Sequence, residues 1–468
     1  MTAPRRIEPH RFALPALEVG ALAVVLCAQA VLWSRDLHAA TNYDEAVYLA
    51  ALDALRHGQA LGSQVFAAQF PGFYDLLRGI SYLSGVGVVA VRRGMLAVVL
   101  AGTVGAWLVG RRYGGPRGGI LTAALLVVAP PLDLFGWQVI ADTPELALVS
   151  LALGVGTLSG VGFAAVAGGL LGAALTVKLT ALTAAPALAW IVRDRLRPAA
   201  GGLAAVVAAE LLVHVTALGS LWSSGVVYHE RARHTPPVIP HPHRQILDQI
   251  PHRTPFFVLS VVALLSALEL LRRRALTTWP LWLWVALVVL FLLVHKPLHY
   301  NHLIELPYAL AIAAGATLGA ALGKLPARAS LAAALVLAVL VGAAWVQQLH
   351  RVDLARAPEP VSNVAAARAL ARLTPPGAMT IDDRPIISFL ARRRVLGRFV
   401  DLALLRWETG SVTDGDLVAR LPKVQAVVVS RALRTRPRVL AAVRREFRKA
   451  YDAGGVVIYV RDDSRSSR

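Results

Sequence analysis

Long apolar stretches recur along the first 350 residues and are separated by short polar segments. A helix needs about 20 mostly apolar residues to cross the hydrocarbon core of a bilayer. By that measure we count about eleven candidate spans, near 13–34, 94–110, 118–134, 143–160, 161–177, 179–192, 200–219, 255–271, 278–294, 303–322 and 329–346. The pattern predicts a polytopic α-helical membrane protein.

The pattern changes after residue 348. Short β-rich runs at 378–381, 425–430 and 455–460 alternate with helical spacing such as that of 437–451. This alternation predicts a small α/β domain outside the membrane. We therefore divide the chain into a membrane domain, 1–348, and a C-terminal extracytoplasmic domain, 349–468. The second domain would act as a lid or scaffold, or else take part in catalysis.

Composition agrees with a membrane protein. Hydrophobic residues make up 56% of the chain and charged residues 16%, against about 25% charged in a typical soluble protein. These values exclude a cytosolic enzyme, a disordered chain and a fibrous repeat. The single cysteine, Cys27, lies in an apolar run, so disulfides and cysteine-based metal sites are excluded as well.

The net charge of +20 comes almost entirely from arginine. Much of it lies in short clusters beside apolar runs, which indicates membrane topology rather than a nucleic-acid partner. With eleven spans, five clusters fall on one side: Arg5, Arg6 and Arg11; 111–117; 193–197; 272–274; and Lys324 with Arg328. That side is predicted to be the cytoplasm. The N-terminus would then be cytoplasmic and the C-terminal domain outside, in a multi-pass protein of the cell membrane.

The first outer loop contains a predicted amphipathic helix within 41–61, which Thr41 or Asn42 would cap. We expect this helix to lie in the plane of the membrane interface. Asp44 and Glu45 fall in its first turn. Acidic residues are common there because they suit the helix dipole, but a carboxylate at the mouth of a membrane bundle can also act as a base.

The second outer segment repeats this arrangement. Asp142 precedes Thr143 at the start of the fourth span, where helix capping is the plain alternative. Two adjacent outer loops thus place a carboxylate at the mouth of the bundle, which favours a polar site there.

Positively charged groups and imidazoles occur near the same mouth. Lys178 is isolated between two apolar runs, where it must be paired or hydrated or extend to the interface. Arg92 and Arg93 precede the second span, and the ninth is followed by Lys296, His299 and Tyr300. Such groups at an interface suit a lipid phosphate.

Two further features stay open between alternatives. The loop 228–254, which includes His229, is rich in His, Arg and Pro. It lacks the paired spacing of a zinc site, so an anionic group is the better fit. Glu210 and His214 lie one turn apart and would line a polar cavity or form a buried pair.

Several segments together resemble the GT-C superfamily of membrane glycosyltransferases, in the branch of protein O-mannosyltransferases, aminoarabinose transferases and lipopolysaccharide galacturonosyltransferases. The most specific segment is YDEAVYLAALDALRHGQAL (43–61). The others follow in the family's order: FPGFYDLL (70–77), VAVRRGMLAV (89–98), ADTPELALVSLALG (141–154), LLGAALTVKLTAL (170–182) and HYNHLIELPYAL (299–310). The chain departs from the family where Gln69 and Phe70 stand in place of a lysine before a Pro-Pro pair.

The resemblance implies a polyprenyl-phosphate sugar donor and a hydroxyl acceptor on a glycolipid, a wall polymer or a protein, with inversion at the anomeric carbon. Asp44 would be the general base, with Glu45 supporting it and Asp142 orienting the acceptor or the base. The other candidates would contact the donor phosphate (Arg92, Arg93, Lys178, Lys296, His299, Tyr300) or line the acceptor side of the cavity (Tyr48, His229, Glu210). No metal or other cofactor is required, because the lipid-linked sugar is a substrate and protein cations can meet its phosphate.

Two other classes of protein remain as alternatives. A transporter or flippase of lipid-linked sugars would use Lys178 and Glu210 as coupling sites, but it is expected to show inverted repeats, and none is apparent. A non-catalytic membrane subunit would tolerate loss of the Asp44 carboxylate.

Overall fold

A computed structural model describes residues 16–130, 132–235, 244, 253–355 and 357–461. The first half of the chain forms α1 (Ala16–Ser34), α2 (Tyr43–Arg56), α3 (Pro71–Ser84), α4 (Val88–Val127), α5 (Leu132–Phe135), α6 (Asp142–Gly156), α7 (Val161–Val177), α8 (Ala185–Ile191), α9 (Leu196–Val213), α10 (Leu218–Trp222) and α11 (Tyr228–Ala232). It continues with α12 (Thr254–Arg272), α13 (Trp279–Val294), α14 (Glu305–Leu322) and α15 (Ala327–Ala355).

The rest of the chain forms an α/β unit. Its helices are α16 (Val361–Leu373), α17 (Ile386–Leu390), α18 (Leu404–Glu408), α19 (Asp414–Val418) and α20 (Pro437–Glu446). Its strands are β1 (Met379–Asp382), β2 (Arg394–Val395), β3 (Ala426–Val429), β4 (Phe447–Ala453) and β5 (Val456–Arg461).

Apolar helices dominate the first part, as the hydropathy pattern predicts for a membrane protein. Among the described residues, six helical segments are long and apolar enough to cross a membrane, and three shorter apolar segments accompany them. The 40-residue α4 combines two of the predicted runs across a kink, where Gly115 has a φ of 67° and Pro116 follows. All the predicted runs overlap helices, while the number of crossings stays a prediction.

Small residues let the central helices approach closely. A Cβ atom on Gly319 of α14 would collide with the backbone of Gly118 in α4, and one on Gly202 of α9 would collide with the backbone of Ala165 in α7. Close backbone approach through small residues is the usual way in which helices pack within a membrane. These contacts produce the tightly packed bundle beneath the outer loops.

The basic cluster 111–117 makes hydrogen bonds at one end of this bundle. Arg111 Nε donates to Glu18 Oε1 at 2.8 Å, near the start of α1, and Arg117 donates to Ser330 Oγ at 2.5 Å, near the start of α15. Cluster 111–117 therefore lies near the starts of α1 and α15, which follow two of the other basic clusters in the sequence. Arg5, Arg6 and Arg11 lie outside the described residues, and the orientation of the bundle in the cell stays a prediction.

Helix α2 of the first outer loop differs from the predicted interfacial helix. Asn42 caps it as expected, since its side chain accepts a hydrogen bond from the Glu45 amide at 2.8 Å. However, ten of its 14 residues are buried, because the helix packs against α3 on one side and against α17 and β2 on another. The helix is therefore enclosed by protein rather than lying on the lipid surface.

The C-terminal sheet has the strand order β2-β1-β3-β5-β4. Strand β1 pairs in parallel with β2 and β3, while β5 pairs antiparallel with β3 and β4. The three predicted β-rich runs are strands, but the helix predicted over 437–451 was wrong at its end. It stops at Glu446, and Phe447–Ala453 forms β4, because Gly454 and Gly455 adopt positive φ angles that close a hairpin onto β5.

The α/β unit sits directly on the first outer loop. Tyr43 Oη donates to Asp401 Oδ1 at 3.0 Å and accepts from the Leu402 amide at 3.0 Å. The Phe66 amide also donates to the Gly397 carbonyl at 3.0 Å. The C-terminal unit and the first outer loop therefore share one side of the bundle.

Candidate active site

A cavity of about 1450 Å³ lies where the bundle, the first outer loop and the C-terminal unit meet. The membrane helices contribute an apolar wall that includes Leu182, Leu290, Phe291 and Val294. The first outer loop contributes Asp44, Tyr48 and Gln69, and the C-terminal unit contributes Asp383, Asp401, Glu408 and Arg431. The cavity thus combines an apolar face formed by the helical bundle with a polar, charged face formed by the first outer loop and the C-terminal unit.

Asp44 lies in the first turn of α2 with its side chain open to the cavity. Asn42 caps the helix, so capping does not explain Asp44, and its carboxylate has no hydrogen-bond partner among the described residues. The protein around the cavity displaces much of the bulk water and raises the pKa of Asp44 to about 6, with smaller contributions from the charges of Asp401 and Asp142. An accessible carboxylate that is ionised at neutral pH, yet more basic than usual, suits a general base.

Tyr48 lies one turn further along α2 and lines the same cavity. Its hydroxyl accepts a hydrogen bond from Gln69 Nε2 at 3.0 Å, and its ring packs edge-on against Phe73. Asp44 and Tyr48 therefore line the same cavity.

Glu45 and Arg92 lie in the core, which differs from their predicted roles. Both side chains have 0% exposure, and Arg92 donates to Glu45 through Nε at 2.7 Å and Nη2 at 2.6 Å. Arg92 also donates to the carbonyls of Leu37 and Ala39 at 2.8 Å, and Glu45 accepts from the Val139 amide at 3.1 Å. With its donors engaged in this way, Arg92 does not reach the cavity, and the pair instead fixes α2 against α4.

The remaining predicted phosphate contacts divide into two groups. His299 and Lys178 line the cavity. Arg93, Lys296 and Tyr300 are exposed and are not among the described cavity-lining residues. The structure therefore brings only part of the predicted cation cluster to the site.

Asp142 and Lys178, which are 36 residues apart in the sequence, form an ion pair. Lys178 Nζ also lies 3.3 Å from Glu305 Oε1, and Asn301 Nδ2 donates to Asp142 Oδ2 at 2.9 Å. Asp142 begins α6 but makes no side-chain cap, so the capping alternative does not apply to it. Because Asp142 and Glu305 are almost fully buried, their charges largely offset that of Lys178.

Four histidines line the cavity: His229, His295, His299 and His302. Burial lowers the pKa of both His229 and His299, so these rings are neutral at pH 7. The rings of His295 and His302 are 4.7 Å apart, and those of His299 and His302 are 5.5 Å apart. Neutral imidazoles of this kind supply hydrogen bonds rather than fixed charge.

Glu210 belongs to a different cluster. His214 Nε2 lies 2.7 Å from Asp75 Oδ2 of α3 and 3.6 Å from Glu210 Oε1. The ligand atoms of the three residues are close enough together to hold a metal ion. None of the three is among the described residues that line the cavity, so the alternative of a side-chain pair fits Glu210 better than a place in the site.

Several site residues were absent from the sequence-based prediction. Asp401, Glu408 and Arg431 come from the C-terminal unit, and no motif marks them. Glu305 and Asn301 lie in a family-like segment, HYNHLIELPYAL, in which only His299 and Tyr300 were singled out. Their polar side chains beside an apolar run were the signal that could have identified them.

Comparison with known proteins shows the fold. A scan against protein-family models and a search of curated protein sequences both find no match. Among solved structures, ArnT from Cupriavidus metallidurans bound to undecaprenyl phosphate is similar with a TM-score of 0.70 and 16% identity, over 95% of this chain and 98% of that chain. The archaeal oligosaccharyltransferase AglB from Archaeoglobus fulgidus, in complex with an inhibitory peptide and a dolichol-phosphate, is similar with a TM-score of 0.57 and 11% identity, over 96% and 74% of the two chains. The predicted GT-C-type membrane fold is therefore confirmed.

Proposed function

We propose that the protein is a membrane glycosyltransferase that moves a sugar from a polyprenyl-phosphate donor to a hydroxyl group of an acceptor on the outer face of the cell membrane. The observation that carries this proposal is the Asp44 carboxylate, which has no described partner and faces a cavity with an apolar wall. The GT-C-type fold supports it, since one structural neighbour is bound to undecaprenyl phosphate and another to a dolichol-phosphate.

The two faces of the cavity match the two parts of such a donor. The wall formed by Leu182, Leu290, Phe291 and Val294 suits a polyprenyl chain, because it would remove apolar surface from water. The polar face suits the phosphate and the sugar. His299 and Asn301 line that face and supply hydrogen-bond donors for the phosphate.

The proposed reaction is a single displacement. Asp44 takes the proton of the acceptor hydroxyl while its oxygen bonds to the anomeric carbon. The bond from that carbon to the phosphate oxygen breaks on the opposite side, so the configuration inverts and the electron pair leaves with the phosphate. Preorganised donors around the phosphate stabilise the charge that develops there.

Asp142 has a positioning role in this scheme. Its bonds to Lys178 and Asn301 hold two cavity-lining groups next to the phosphate site. The acceptor would be a glycolipid, a wall polymer or a protein.

The proposal is tested with purified protein in lipid nanodiscs. A panel of polyprenyl-phosphate hexoses and pentoses is offered together with cell-envelope extract, and the release of polyprenyl phosphate is measured. At least one donor should be consumed by the parent protein, and Asp44→Asn should consume it roughly 10²–10⁴-fold more slowly. If no donor is consumed, but reconstituted vesicles move a lipid-linked sugar across the bilayer, the protein is a flippase and the proposal is wrong.

A further inference from the structure

The positive charge available inside the cavity is unevenly distributed. Lys178 and Arg431 are the lysine and arginine side chains among the described cavity-lining residues. Lys178 is paired with Asp142 and lies 3.3 Å from Glu305, so its charge is already offset. The Arg431 side chain is exposed and makes no ion pair with any residue that the structure describes.

A network of hydrogen bonds fixes the backbone at Arg431. The Asp383 carboxylate accepts from the Ser430 amide and hydroxyl at 2.8 and 2.7 Å, and from the amides of Arg431 and Leu433 at 2.8 Å. Asp383 directly follows β1, and Ser430 directly follows β3. The loop that carries Arg431 is thereby attached to two neighbouring strands.

The topology of the sheet is a second reason to expect a ligand near Arg431. Strands β1 and β3 are adjacent and parallel. The chain leaves β1 toward β2 on one side and leaves β3 toward β4 and β5 on the other, so the strand order reverses between β1 and β3. In α/β sheets, ligands bind outside the carboxyl ends of the strands where the strand order reverses in this way. Here that crevice holds Asp383 and Arg431 and opens into the cavity.

From these observations we infer that Arg431 contacts the phosphate of the lipid-linked donor and stabilises it as it leaves. This inference rests on the proposed function and makes the C-terminal unit part of the active site rather than only a lid. A guanidinium group matches phosphate oxygens with two parallel hydrogen bonds.

The surrounding charges explain why an unpaired cation is needed there. Asp44, Asp401 and Glu408 line the same cavity and would repel a phosphate. Asp401 is engaged by the Tyr43 hydroxyl and the Ala403 amide, whereas the Arg431 guanidinium remains available to the ligand.

The test compares two probes that differ only in the phosphate, undecaprenyl phosphate and undecaprenol, for binding to the full-length protein in nanodiscs. Arg431→Gln should weaken binding of undecaprenyl phosphate by roughly 10- to 100-fold, as expected for loss of a charged hydrogen bond, and leave undecaprenol binding unchanged. Arg431→Lys should bind undecaprenyl phosphate with an affinity between those of the parent and Arg431→Gln. Lysine keeps the positive charge but lacks the two parallel N–H donors of the guanidinium group. The matched control is Arg434→Gln, an exposed arginine outside the described cavity lining, which should bind like the parent.

The outcomes separate this inference from the proposed function. If the parent protein prefers undecaprenyl phosphate over undecaprenol and Arg431→Gln keeps that preference, Arg431 does not contact the phosphate and only this inference is wrong. If the parent protein shows no preference at all, the proposed donor itself is wrong. Melting temperatures of all variants show whether a loss of binding reflects a loss of folded protein.

Discussion

Asp44 and Glu45 are consecutive residues with opposite surroundings: the first opens into the cavity, and the second is fully buried against Arg92. The Glu45–Arg92 pair anchors the first turn of α2 to α4 and thereby fixes the backbone from which Asp44 projects. Of these two neighbouring acidic residues, Asp44 is thus suited to catalysis and Glu45 to stabilising the fold.

Replacing the Asp44 carboxylate should remove activity without unfolding the protein. Asp44→Asn keeps the shape of the side chain but cannot take a proton, so we expect sugar transfer to fall by roughly 10²–10⁴-fold. Because the carboxylate makes no described hydrogen bond, the melting temperature should stay near that of the parent. Single-turnover assays on matched amounts of folded protein would measure this, and near-parental turnover would rule out Asp44 as the base.

The reaction should depend on pH through Asp44. Its pKa is raised to about 6, first because the protein around the cavity displaces bulk water and then by the charges of Asp401 and Asp142. Since the base must be ionised, kcat/KM should be constant above this pH and fall tenfold per unit below it. Asp401→Asn removes one of the charges that raise the pKa of Asp44, so the acidic limb of the pH profile should move to lower pH. Asp452→Asn, at an exposed site in β4, should leave the acidic limb where it is. If Asp401→Asn left the acidic limb unchanged, the assignment of that limb to the ionisation of Asp44 would be contradicted.

The Glu45–Arg92 ion pair should stabilise the folded protein. Glu45→Gln leaves the guanidinium buried without its carboxylate, a change that typically costs about 3–5 kcal/mol, so the melting temperature and the yield should drop. Glu269→Gln breaks a solvent-exposed pair with Arg272 and Arg273 and should have little effect. Thermal unfolding of both variants distinguishes them. If the Glu45→Gln protein were stable but inactive, Glu45 would have a catalytic role instead.

Lys178 and Glu305 should behave as coupled residues. Lys178→Ala leaves the buried Asp142 and Glu305 carboxylates without their cation, so it should lower the melting temperature as well as donor affinity. Adding Glu305→Gln should restore part of the lost stability, because it removes one of the unpaired charges. A double-mutant cycle measures this coupling, and strictly additive effects would show that the two groups do not interact.

The topology is testable with reporter fusions. The basic clusters predict that a fusion after Gly115 lies in the cytoplasm and that one after Asp353 lies outside. The C-terminal unit should lie on the same side as the first outer loop, since the two are in contact through Tyr43 and Asp401. A fluorescent reporter folds only in the cytoplasm, and alkaline phosphatase is active only outside. A cytoplasmic signal after Asp353 would reverse the orientation.

Local features of this protein could be predicted from its sequence. The apolar runs, the Asn42 cap and the three β-rich segments depend on residues close together in the chain, and they are present in the structure. Asp44 could be singled out for the same reason, because it lies in a recognisable segment at the start of a helix.

Features that depend on distant residues could not be predicted. Glu45 and Arg92 are 47 residues apart, and Tyr43 and Asp401 are 358 apart. Periodicity reports which face of an element is apolar but not which element covers it. This is why α2 was expected on the lipid surface, and why Asp401 and Arg431 were missed.

The hydrogen bonds between Tyr43, Asp401 and Leu402 have a consequence for protein engineering. Tyr43 immediately precedes Asp44, so the proposed base lies next to a residue that is hydrogen-bonded to the C-terminal unit. A chimera that takes its bundle from one homologue and its soluble part from another would disturb the reactive carboxylate even if every residue of the bundle were kept. The two halves of this chain are therefore not interchangeable modules, and any exchange should carry the first outer loop together with the C-terminal sheet.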